Sequence, residues 1–148
     1  MEYRLTGRNI MPRMIIRESA DSKKPIKYLI SDSEGIIMDY LWKEKEGKLF
    51  REIMEYLNVE CQKPWKKQTV NTFINRLTNK GLVVSENCGG NKKYSPALNY
   101  TEYKQGEAKN FLDVFYSGSV YTFLSTLSGG QKIDSSTADE LRKFLEEK

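Results

Sequence analysis

Residues 66–82 constrain the fold of this chain most tightly. Val70, Phe73, Ile74 and Leu77 recur at i, i+3, i+4 and i+7, the spacing of one buried helical stripe. That spacing predicts a helix over about 66–80. Lys80-Gly81 closes it, a cation at the negative end of the helix dipole followed by a C′ glycine. The opposite face holds Gln68, Asn71, Thr72, Asn75 and Asn79, nearly all amide or hydroxyl with few charges. Leu82-Val83-Val84-Ser85 then reads as a strand, Asn87–Asn91 as a turn around Gly89-Gly90, and Lys92–Ser95 as the returning strand limited by Pro96.

Two more helices precede this unit. Ser31 and Glu34 form a capping box, and the helix it opens runs to about Lys45, with Ile37, Tyr40, Leu41 and Trp42 inward and Gly47 as the stop. Leu49, Phe50, Ile53, Met54 and Leu57 mark a second helix over about 48–58, and Pro64 separates it from the third. Three helices followed by a hairpin is the order of a winged helix-turn-helix. Residues 1–29 lack a sustained period and read as an N-terminal extension, an arm leading into the winged-helix domain at 30–99.

Residues 100–148 read as a helical dimerisation region. A helix over 101–117 carries Ala108, Phe111, Leu112, Phe115 and Tyr116 as a stripe, and Ser117-Gly118 break it. Val120–Leu127 is a short apolar helix, with Val120, Phe123 and Leu124 among its apolar residues. After Gly129-Gly130 a last helix, about 136–147, opens on Ser136/Thr137 with Asp139/Glu140 and turns Leu141, Phe144 and Leu145 inward. Three short helices cannot bury all of that within themselves, so a second copy of the chain is expected to cover it. The fold class is therefore mainly α with a small β-hairpin, a winged helix followed by three C-terminal helices.

Charge and composition narrow the function. The net charge is +4 over 148 residues, with 39% hydrophobic and 30% charged residues, an ordinary globular profile. Residues 1–30 carry seven Lys/Arg against three acids and residues 60–95 seven against two, whereas 31–59 carry four against seven, so the segment of the third helix and hairpin is a basic stretch between more acidic ones. No run approaches the length of a membrane span, and no membrane partner is expected. The N-terminus has no apolar stretch suited to a secretory signal, and a reducing cytoplasmic setting is expected. Histidine is absent, and the two cysteines, Cys61 and Cys88, cannot build a closed zinc site alone. Neither an enzyme, a cofactor nor a metal is expected.

The remaining chemistry fits double-stranded DNA. A helix in the major groove needs donors and acceptors near its N-terminal turns, and Gln and Asn can pair bidentately with adenine. Gln68, Thr69, Asn71, Thr72 and Asn75 supply that chemistry, while Lys66, Lys67, Arg76, Lys92 and Lys93 supply cations for phosphates. The alternative is a winged-helix protein-interaction module without specific DNA binding, and the amide-rich face with a basic wing argues against it.

The run from Trp65 through Thr69-Val70, Thr72, Arg76-Leu77 and Lys80-Gly81-Leu82 resembles the recognition helix of the penicillinase-repressor (BlaI/MecI) family. Ile30–Glu34 through Leu41-Trp42 and the C-terminal Glu140-Leu141-Arg142 with Phe144-Leu145 are similar to the family's first and last helices. The resemblance implies a bacterial homodimeric repressor on an inverted-repeat operator, with a membrane-bound sensor protease as inducer in its best-known members. Thr126-Leu127 stands where those members have their Asn-Phe cleavage pair, and Gly35 where they usually carry a large apolar residue.

Overall fold

The computed structural model describes residues 17–18 and 25–147. The element order is β1 (Arg17–Glu18), β2 (Pro25–Ile26), α1 (Asp32–Lys43), β3 (Lys48–Leu49), α2 (Phe50–Glu55), a π-helical turn (Tyr56–Glu60) and α3 (Lys67–Asn79). There follow β4 (Val83–Cys88), β5 (Asn91–Pro96), α4 (Tyr100–Tyr116), α5 (Val120–Leu127) and α6 (Ser135–Glu147). The expected extension is described only at 17–18 and from residue 25; the rest lies outside the described residues.

The chain divides into two compact units, with the boundary between Asn110 and Phe111 of α4. The first is a winged helix. α1, α2, the π-helical turn and α3 pack Ile37, Leu41, Ile53, Leu57, Val70, Ile74 and Leu77 into one core. Leu82, Val83, Ile26 and Tyr103 belong to the same core. The core thus reaches past the expected limits of 30 and 99, because Ile26 and Tyr103 are both buried in it.

The capping box forms as expected: Ser31 Oγ accepts from the Glu34 N–H at 3.1 Å, and Glu34 Oε1 accepts from the Ser31 N–H at 2.7 Å. α1 ends at Lys43, earlier than Gly47, with Glu44 already extended. Gly47 has a different task. A Cβ there would stand 2.7 Å from Ser95 Oγ, so its bare backbone lets the chain lie against β5.

Residues 48–58 do not form one helix. Lys48 and Leu49 pair antiparallel with Tyr94 and Lys93, giving a three-stranded sheet in the order β3-β5-β4. Glu52 Oε1 accepts the Leu49 N–H at 2.8 Å, which fixes the start of α2 at Phe50. The strands of the wing run longer than expected, to Cys88 and from Asn91, and leave a two-residue turn. Both turn residues, Gly89 and Gly90, have positive φ (59° and 87°), the conformation that only glycine adopts cheaply and that matches the twist of a tight hairpin.

In the second unit, Phe111, Phe115 and Tyr116 of α4 gather with Phe123 of α5, at ring separations from 5.0 to 6.1 Å. Ser119 Oγ caps α5 through the Thr122 N–H. α6 is capped by Asp134, whose Oδ1 accepts the Thr137 N–H at 2.8 Å, two residues before the expected cap at Ser136. That hydrogen bond to the backbone holds the Asp134 carboxyl below its usual range.

Candidate nucleic-acid interface

The third helix buries Val70, Ile74 and Leu77 and turns the other side outward. Gln68, Asn71, Thr72, Asn75, Arg76 and Asn79 are exposed on that side, Thr69 is half-buried, and Lys66 and Lys67 are exposed at the start. Thr72 is less versatile than its sequence position suggests. Its hydroxyl donates to the Gln68 carbonyl at 3.0 Å, which leaves a methyl group and acceptor lone pairs facing outward.

The two ends of α3 are held differently. At its start Lys66 is extended and no side chain caps the first turn, so the leading N–H groups face outward beside two lysines. At its end Gly81 takes φ 76°. The Gly81 and Leu82 N–H groups return to the carbonyls of Thr78 and Leu77, both at 3.0 Å, a Schellman closure. Lys80 Nζ reaches Glu34 Oε1 at 2.7 Å and so ties the end of α3 to the first turn of α1.

A hollow of about 310 Å³ opens between Lys67, Gln68 and Asn71 of α3, Phe50 of α2 and Tyr94 of the wing. A second, of about 420 Å³, shares Phe50 and Tyr94 and continues along Leu49, Arg51, Gly90, Asn91 and Lys92. The structure therefore brings the start of α3 and the wing around one concave surface. Thr72, Asn75 and Arg76 extend the polar face of α3 beyond the hollow. Lys93 is half-buried and stands directly opposite Glu86 in the sheet, while Lys92 is exposed opposite Asn87.

Sequence reasoning missed Arg51, Phe50, Asn91 and Tyr94. The signal for Arg51 was a cation on the exposed side of the second helix. Only the β3–β5 pairing, which two residues of sequence could not announce, brings it beside the wing. Trp65 packs edge-on against Phe73 at 5.2 Å, and Trp42 donates its ring N–H to the Leu98 carbonyl at 2.9 Å, so both tryptophans serve packing. Cys61 is half-buried at the core margin and Cys88 lies at the wing tip, both as free thiols. Among the described residues no His, Cys, Asp and Glu side chains gather into a metal site.

A sequence profile described as penicillinase repressor matches residues 30–147, which is most of the chain. This chain belongs to the penicillinase repressor family. Its relatives include the methicillin resistance regulatory protein MecI of Staphylococcus aureus (strain N315), 26% identical over 121 residues that cover 82% of this chain and 96% of that protein. The penicillinase repressor of Bacillus licheniformis is 25% identical over 118 residues, 80% of this chain and 90% of its own. The family is one of transcriptional repressors and not of enzymes. In this family member, the ten expected dimerisation residues of the second unit divide by exposure. Leu112, Phe115, Tyr116, Phe123, Leu124 and Leu141 are half-buried, whereas Phe111, Val120, Phe144 and Leu145 are exposed. No helix of the described residues is long and apolar enough to cross a membrane.

Proposed function

We propose that this repressor binds a palindromic DNA operator as a homodimer and reads its sequence through α3. The observation that carries the reading is the concave surface on which Gln68 and Asn71 stand between cations of three elements, Lys67, Arg51 and Lys92. Amides able to pair with base edges are flanked by groups able to hold phosphates, the division of labour that duplex recognition requires. Lys66 and the uncapped first turn of α3 add backbone N–H groups to the phosphate contacts.

The burial pattern supports the homodimer. In residues 111–147 Val114 alone is buried among the described residues, and neither α5 nor α6 buries any side chain. A second copy is the partner that a repressor of this kind can always find, and a two-fold interface pairs two copies of α3 with two half-sites. Cutting or splaying residues 111–147 then removes the avidity and vacates the operator, whatever signal does it.

Selection of the full chain against random duplex tests the reading. The expected result is enrichment of an inverted repeat whose half-sites are separated by about one helical turn or a multiple of it. Recovery of unenriched sequence, with binding that depends on salt alone, would overturn it.

A further inference from the structure

The family match begins at residue 30, yet the chain just before it is built into the DNA-binding unit. Ile26 is fully buried in the core, and Arg17 pairs with it across β1 and β2. The Lys27 N–H donates to the Lys80 carbonyl at 2.9 Å. That carbonyl sits at the C-cap of α3, where no further turn of the helix follows to supply a donor. Lys80 is thus gripped twice, by its side chain on Glu34 and by its carbonyl on Lys27.

The next residue reaches α4. The Tyr28 ring packs on Tyr103 at 5.5 Å, and its hydroxyl end lies over Gly106, so closely that a Cβ on Gly106 would overlap the ring and the hydroxyl. A glycine inside a helix forfeits stability, and here the missing side chain is the notch that admits Tyr28.

We propose that residues 26–28 are a positioning strap for the recognition helix: Lys27 and Tyr28 fix the C-terminal end of α3 against α4, so that the exposed face of α3 meets DNA in one orientation. Lys27 and Tyr28 are positioning residues, acting through Lys80 and Gly106. The part of this that concerns DNA rests on the function proposed above.

The test uses the full chain with Gly106→Ala, Tyr28→Ala and both together. Alanine for glycine inside a helix ordinarily raises the melting temperature. With Tyr28 in the notch Gly106→Ala lowers it instead, and in the Tyr28→Ala background the same substitution raises it. Amide exchange at Lys27 accelerates in Gly106→Ala, since the strap is pushed off the end of α3. Both single variants lose about tenfold in the ratio of operator to random-duplex affinity, measured well below the melting temperature, with random-duplex affinity unchanged. A rise in melting temperature for Gly106→Ala alone, or unchanged Lys27 exchange, overturns the strap. An unchanged affinity ratio in both variants, alongside the expected thermal cycle, reduces it to a packing contact and overturns positioning. A wild-type chain without operator preference sinks the proposed function instead, while the thermal cycle and Lys27 exchange still decide whether the strap holds α3.

Discussion

Burial pushes the Glu34 carboxyl up, but the Lys80 ammonium, the Ser31 backbone N–H and the Ser31 hydroxyl together pull it below its usual range. One carboxylate oxygen, Oε1, accepts from both Ser31 N and Lys80 Nζ. A carboxyl whose folded pKa is depressed adds stability above its unfolded value of about 4.3, and that stability is lost as pH falls through the folded value. Glu34→Gln is therefore expected to cost about 1.5–3 kcal/mol at pH 7, the range for a hydrogen bond to a charged group. Urea midpoints should show the gap between wild type and variant narrowing below about pH 4. A gap that stays constant with pH would remove the ion pair as its cause. The neighbouring Gly35 makes the opposite case. A Cβ there meets only Ile30 Cδ1, at 3.9 Å, so Gly35→Ala should gain about 0.5–1 kcal/mol in the same measurement. The capping box and the helix it opens were legible in the sequence because both partners lie three residues apart. The Lys80 contact was not, because it spans 46 residues and depends on how α1 crosses α3.

At the scale of elements, the stripe of Val70, Ile74 and Leu77 and the Gly89-Gly90 turn were readable because a helical period and a hairpin glycine are local signals. β3 was not, since two residues carry no period, and its absence from the sequence reading hid Arg51 and Tyr94 from the candidate site. Register also separates two lysines that look alike in sequence. Lys93 faces Glu86 directly across the sheet, where an opposite charge offsets its field, while Lys92 faces Asn87 and lines the hollow. Lys92→Ala should therefore lower the salt slope of operator binding by about one, with a smaller change for Lys93→Ala. The two slopes, taken from binding titrations at a series of salt concentrations, decide this; equal slopes would mean that the Glu86 pairing has no electrostatic consequence at the duplex. Asn71→Ala belongs to the other class of contact. It should cost about 1–3 kcal/mol on the preferred site and little on random duplex, since an amide that reads a base edge carries sequence information and a lysine on a phosphate does not.

At the scale of the molecule, the distribution of burial separates folding from assembly. Every buried apolar residue among those described lies at or before Tyr103, with Val114 as the exception. The winged-helix unit thus gathers nearly all of the buried apolar side chains, and it is expected to fold without α5 or α6. Tyr121 is 81% exposed, Leu127 68% and Leu145 71%, on helices that bury nothing. The sequence announced the apolar stripes of this region but could not say which side chains one chain leaves open, because that depends on how α4, α5 and α6 meet. Aspartate at such a position makes the distinction testable. In an isolated chain, Leu145→Asp alters a solvent-facing side chain and should change stability by no more than about 0.5 kcal/mol. In a dimer it buries an unpaired carboxylate at the interface, a far larger penalty. The full-length variant is therefore expected to melt at a concentration-independent temperature, to sediment as a monomer, and to keep the affinity of a single half-site. Its affinity for the palindrome should fall by about 10²-fold or more, because the second half-site no longer benefits from a tethered copy. Truncation after Asn110 removes the same surface without touching the winged-helix core and should give the same binding pattern. If Leu145→Asp sediments as a dimer and the truncated chain still binds the palindrome as tightly as the full one, the interface does not lie in residues 111–147.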